Sequence, residues 1–99
     1  MTTVTHTLKS PIQAHGAEVA ELTLRRPTVQ ECRAIKALPY TVGDSGYPIM
    51  EVEVVGKYIA VCAAIPASSV NQLELRDLNA LGWLVIGFFM DRDSTQSDS

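Results

Sequence analysis

The sequence predicts an α+β fold, an N-terminal β-hairpin followed by three to four α-helices, on three observations. Apolar and polar residues alternate over residues 3–25, a T-x-x-E helix start follows at Thr28, and from residue 49 onward apolar residues recur at helical spacing. A chain of 99 residues closes one hydrophobic core, burying roughly 60–65% of its unfolded surface, so residues 1–90 are expected to form a single domain.

The hairpin is read first. Val4, His6, Leu8 and Ile12 share one parity while Thr3, Thr5, Thr7 and Lys9 share the other, as in a strand with one dry face and one wet face. Pro11 predicts that this strand ends there or lies at an edge. Beyond the His15-Gly16 turn, Ala20, Leu22 and Leu24 alternate with Glu21, Thr23 and Arg25, a second strand close enough to pair back on the first.

Thr28-Val29-Gln30-Glu31 is a capping box, in which the threonine and glutamate side chains satisfy orphan amides of a starting helix. The helix is predicted to run to about Leu38, with Val29, Cys32 and Ile35 inward and packed over the hairpin. Pro39 to Pro48, with two prolines, two glycines, Asp44 and Ser45, predicts a loop. From Ile49 to Ala64, Val52, Val55, Ile59 and Cys62 fit a helical face, although Glu51-Val52-Glu53-Val54 also alternates like a strand; helix is the favoured reading. Pro66 ends that element, and Ser69-Val70-Asn71-Gln72 offers a second capping box for a short turn. Leu75 to Met90 forms the last helix, with Asp77 near its positive N-terminal end, and the acidic, Ser-rich residues 91–99 are expected to be a disordered tail.

Composition narrows the function classes. Eight basic and eleven acidic residues give a net charge of -3, which offers no field to draw in nucleic acid. Leu78 to Met90, the most apolar run, rises only about 20 Å as a helix against the ~30 Å of hydrocarbon in a bilayer, so no membrane span is expected. No secretory signal opens the sequence, which predicts a cytoplasmic protein. Cys32 and Cys62 read as reduced residues in apolar segments, outside any metal-ligand spacing, and no phosphate-binding glycine motif occurs, so no cofactor is expected.

Chemistry-bearing residues are few. Gly43-Asp44-Ser45-Gly46 is similar to the nucleophile loop of serine proteases, but the chain is too short for that scaffold and its two histidines lie on a strand and in a turn. His6 is expected to be partly buried and hydrogen-bonded, His15 a turn residue, and Arg25-Arg26 a solvated pair. An enzyme is not expected.

The last helix carries the binding candidates. At 100° per residue, Leu78, Leu81, Leu84, Val85, Phe88 and Phe89 fall on one broad face, whereas Trp83, Ile86 and Met90 fall on another. Either the helix is wedged centrally, or the second side is exposed until a partner or another copy arrives. Trp83, Ile86 and Met90, with Phe89 beside them, are therefore the predicted protein-binding residues, and a homo-oligomer is expected.

Two stretches carry a family resemblance. One is Glu21-Leu22-Thr23-Leu24-Arg25-Arg26-Pro27-Thr28, a strand running into a helix start. The other runs from Ala64-Ile65-Pro66 through Val70-Asn71-Gln72-Leu73-Glu74-Leu75-Arg76-Asp77-Leu78 to Gly87-Phe88-Phe89. With the order of elements, they resemble the tail assembly chaperones of long-tailed bacteriophages, notably the short protein of contractile-tailed and Mu-like phages, over most of residues 3–90. The resemblance implies a protein of the host bacterial cytoplasm, not expected in the mature virion. Such a protein binds the tape-measure protein and keeps it soluble while tail-tube subunits polymerise around it, with the tail-tube protein as a second candidate partner. Some members are also made in a longer, frameshifted form. The Pro39–Pro48 segment departs in composition from the family pattern. The alternative reading is a small structural adaptor of a tail or head–tail joint.

Overall fold

The computed structural model describes residues 3–90, so the predicted tail at 91–99 lies outside the described residues. Strands β1 (Thr3–Ala14) and β2 (Ala17–Arg25) pair antiparallel as one hairpin. His15 and Gly16, the two residues between them, both take positive φ (55° and 76°), the left-handed geometry that matches a two-residue turn to the twist of its strands. Leu8, Ile12, Ala14, Leu22 and Leu24 are buried on one face, as the alternation requires, whereas Ala20 is exposed instead of inward.

Of the two readings of Pro11, the edge holds and the strand end does not: β1 belongs to a two-stranded sheet, in which each strand is an edge. The register passes from Thr7 opposite Glu21 to Ile12 opposite Val19, so the intervening residues bulge out of the ladder. A residue without an N–H is tolerated at such a place, and β1 continues beyond it to Ala14.

Helix α1 (Val29–Ile35) starts at the predicted capping box: Thr28 Oγ1 accepts from the Glu31 N–H and the Glu31 carboxylate accepts from the Thr28 N–H. It stops earlier than expected, at Lys36 in the left-handed region, and it packs on α2 (Val52–Ala63). Val29 is 77% exposed, a correction to its predicted inward position, while Cys32 and Ile35 lie half-buried against the core. The hairpin is covered by other helices: α2 lies over β2, and α3 (Ala67–Val70) and α4 (Leu75–Met90) lie over β1.

The predicted 39–48 loop is a second hairpin. Strands β3 (Tyr40–Val42) and β4 (Pro48–Met50) pair with Thr41 opposite Ile49, and Gly43-Asp44-Ser45-Gly46 lies in the connection between them. Three-residue strands give too little alternation to show above two prolines and two glycines. Residues 49 and 50 therefore belong to β4, and α2 begins only at Val52, which is exposed. Val55, Ile59 and Cys62 face inward as predicted, joined by Tyr58, whose hydroxyl donates to the Ala37 carbonyl.

The Ser69–Gln72 capping box does not form. Ser69, buried within α3, donates its hydroxyl to the Gln13 carbonyl, and the Gln72 side chain accepts from the Gln13 N–H and donates to the same carbonyl. Both side chains tie the end of β1 to the helices instead of capping one.

Candidate functional site

Asp77 sets the position of α4. Its side chain is fully buried, and it accepts from His6 Nε2 at 3.0 Å and from the Lys9 N–H in the β1 bulge at 2.8 Å. Burial pushes its carboxyl pKa up, but the hydrogen bonds from His6 and from the Lys9 and Ser10 N–H groups outweigh burial and leave it below the ordinary carboxylate value. Beside it the Ser10 hydroxyl donates to Glu74. His6 and Asp77 are thus a histidine–carboxylate pair whose nearby serine is bonded to a different acid, and the bulge is fastened to the start of α4 from several sides. His6 is partly buried and hydrogen-bonded as predicted, and His15, besides turning the chain, has Nε2 2.9 Å from the Ala64 carbonyl.

The far end of α4 is held differently. Phe89 stands edge-on to Tyr58, with ring centres 5.3 Å apart, and to Tyr40 at 6.3 Å. Arg26 donates to the Phe88 carbonyl at 3.1 Å and places its guanidinium 5.7 Å from the centre of the Phe88 ring, joining a carbonyl at the helix end with a cation–π contact. Arg25 forms a two-pronged pair with Glu31, at 2.9 and 2.7 Å. This pair, with the Thr28 N–H, holds the Glu31 carboxyl down at about 2. Both arginines are engaged, contrary to the solvated pair the sequence suggested.

These contacts leave a groove of about 330 Å³ between α1 and the end of α4, lined by Pro27, Val29, Cys32, Phe88 and Phe89, with Arg26 and Arg33 as its charged residues. None of its lining residues lies in a strand. A second hollow of about 280 Å³ lies by Val52, Leu75 and Leu78 and carries Glu53. The thiol of Cys62 is driven up to about 11 chiefly by burial, and the Tyr58 hydroxyl is also raised by burial and by its bond with Cys32, so neither ionises near neutral pH.

The four predicted binding residues are split by the fold. Trp83 is 44% exposed, its indole donating to Asn79, and Met90 and Phe89 are half-buried. Ile86 is 2% exposed, which corrects the expectation that it waits uncovered for a partner. It lies one turn beyond Gly82, on the side of α4 that β4 packs against. Gly82 marks a close approach of α4 to β4 and α2, since a Cβ there would sit 2.7 Å from the Met50 methyl, the movable end of a flexible side chain, and 3.2 Å from Val55 Cγ1. The second hairpin reaches this side of α4, where Met50 lies against Gly82, while Trp83 on the same side stays exposed. Sequence reasoning also missed the groove; its one visible signal was the pair of arginines flanking an apolar helix start, at Arg26 and Arg33.

Among the described residues no three His, Cys, Asp or Glu side chains gather as a metal site, and no helix is long and apolar enough to cross a membrane. Compared with known proteins, residues 5–90 match the family model described as phage tail assembly chaperone proteins, E, or 41 or 14. Neither the curated proteins nor the solved structures gave a match.

Proposed function

The chain belongs to the family of phage tail assembly chaperones, and we propose that it binds the tape-measure protein and keeps it soluble while the tail tube assembles around it. The carrying observation is the family match over residues 5–90, which spans every element from β1 to α4. The surface agrees with such a role. A client with long apolar segments needs apolar contact area on its chaperone, and this chain presents the α1–α4 groove and the exposed Trp83 face. Phe89, Met90 and Trp83 belong to the proposed contact region, and buried Ile86 supports the helix beneath them.

In this reading the protein acts by binding and release in the host bacterial cytoplasm, without catalysis, and leaves before the particle is complete. The tail-tube protein is a second partner, met as the tube closes on the tape measure. Quantitative mass spectrometry of infected-cell lysate and purified particles tests the reading. The chain should co-purify with the tape-measure protein from lysate and be missing from finished particles; a fixed copy number per particle would instead identify a structural adaptor.

A further inference from the structure

The α1–α4 groove has a charge character unlike that of the rest of the chain. The protein carries a net charge of -3, yet the charged residues lining this groove, Arg26 and Arg33, are both cationic. Glu31, the nearest acid in sequence, is occupied by Arg25 and by the Thr28 N–H, so its carboxylate is committed elsewhere. Arg26 is fixed in place by the Phe88 carbonyl and ring, whereas Arg33 is exposed and makes no ion pair among the described residues. The apolar part is open as well, for Val29 is 77% exposed and Phe88 and Phe89 are half-buried.

Size and shape limit the occupant. A volume of about 330 Å³ equals roughly eleven water-sized groups at ~30 Å³ each. That is room for two or three leucine-sized side chains, the number one turn or two of an amphipathic helix presents at i, i+3 and i+4. A peptide adding as a β-strand would need a sheet edge for its main-chain hydrogen bonds, and the groove, walled by helices and the segment before α1, has none. The guanidinium fork favours carboxylates on the occupant.

We propose that this groove receives an amphipathic helical segment of the tape-measure protein whose apolar stripe is bordered by Asp or Glu. The inference rests on the tape-measure reading above and adds the site and the chemistry of the segment bound. Arg33 pairs with the bordering carboxylates, and Val29, Phe88 and Phe89 receive the stripe.

The test tiles the tape-measure protein as overlapping 20-residue fluorescent peptides and measures binding by anisotropy to the full chain, to Arg33→Glu, to Arg33→Lys and to Val29→Asp. Both positions are exposed, so circular dichroism should show all variants folded. The bound peptides should be acidic amphipathic segments whose affinity falls about tenfold in Arg33→Glu, falls in Val29→Asp, weakens with salt, and falls less in Arg33→Lys, which keeps the charge but loses the fork, than in Arg33→Glu. Bound peptides that are basic or neutral, or equal binding by all four proteins, would overturn the groove assignment while leaving the chaperone reading intact. So would an absence of peptide binding alongside co-purification of the full-length pair, or a Val29→Asp variant whose only change is a smaller oligomer, which would make the groove a contact between copies. Failure of the full-length tape-measure protein to co-purify at all would instead remove the reading on which the proposal rests.

Discussion

Replacing Asp77 with alanine should be the most damaging single change at the join between hairpin and helices. The carboxylate is fully buried and satisfies the Lys9 N–H at 2.8 Å, a further N–H from Ser10, and His6 Nε2 at 3.0 Å. Truncation strands two backbone donors in the bulge, each costing about 1–3 kcal/mol when left unpaired. His6 keeps partial access to water and adds less. A loss of about 3–4 kcal/mol is expected, within the ~3–5 kcal/mol seen when one member of a buried pair is removed. For a chain of this size that lowers the melting temperature by about 15–25 °C. Urea unfolding followed by circular dichroism measures it. Because the native carboxyl pKa is depressed, its contribution is fully present above the ordinary carboxylate value and is lost as pH falls through the native one. The gap between wild type and variant should therefore be wide at neutral pH and close in acid. A loss below about 1 kcal/mol at pH 7 would mean that water satisfies the bulge and that Asp77 does not anchor α4.

Other substitutions test separate parts of the fold. Thr28→Ala removes one side of the capping box and should cost about 1 kcal/mol; in Glu31→Gln the stability deficit should shrink as pH falls from the ordinary glutamate range toward about 2, where the wild-type carboxyl protonates, and a pH-independent deficit would rule out the ion pair as its source. Ala64, which closes α2 at φ 58°, holds a backbone geometry that glycine adopts without strain, so Ala64→Gly should stabilise by about 0.5–1 kcal/mol, and a destabilised variant would count against that cap. Ile86→Glu should unfold the protein by burying a charge, while Trp83→Asp should leave its melting temperature within a few degrees; the reverse pattern would show that Ile86 does not belong to the core.

What the sequence revealed was local. The hairpin over 3–25, the Thr28 box and the extent of the last helix are each decided by residues within a few positions of one another, and each appears as predicted apart from exposed Ala20 and the bulge after Thr7. Features set by distant partners were hidden. Asp77 looked like a charge placed for a helix dipole because nothing in its neighbourhood announces the bulge at Lys9, 68 residues away. Ser69 and Gln72 carry a helix-start pattern but spend their hydrogen bonds on Gln13. Three-residue spacing puts Val29 on one inward stripe with Cys32 and Ile35, whereas a seven-residue helix packed on α2 leaves its first residue over an open groove. The side of α4 holding Trp83 and Ile86 divides in the fold, Trp83 staying exposed and Ile86 buried, a difference that helical spacing alone does not carry.

The chaperone role itself is tested most directly by expressing the tape-measure protein alone, with the wild-type chain, and with Val29→Asp, and measuring the fraction that stays soluble. The wild-type chain should move the tape-measure protein into the soluble fraction and co-purify with it, and Val29→Asp should do so poorly. A tape-measure protein equally soluble in all three conditions, or insoluble beside an abundant folded chain, would contradict the role.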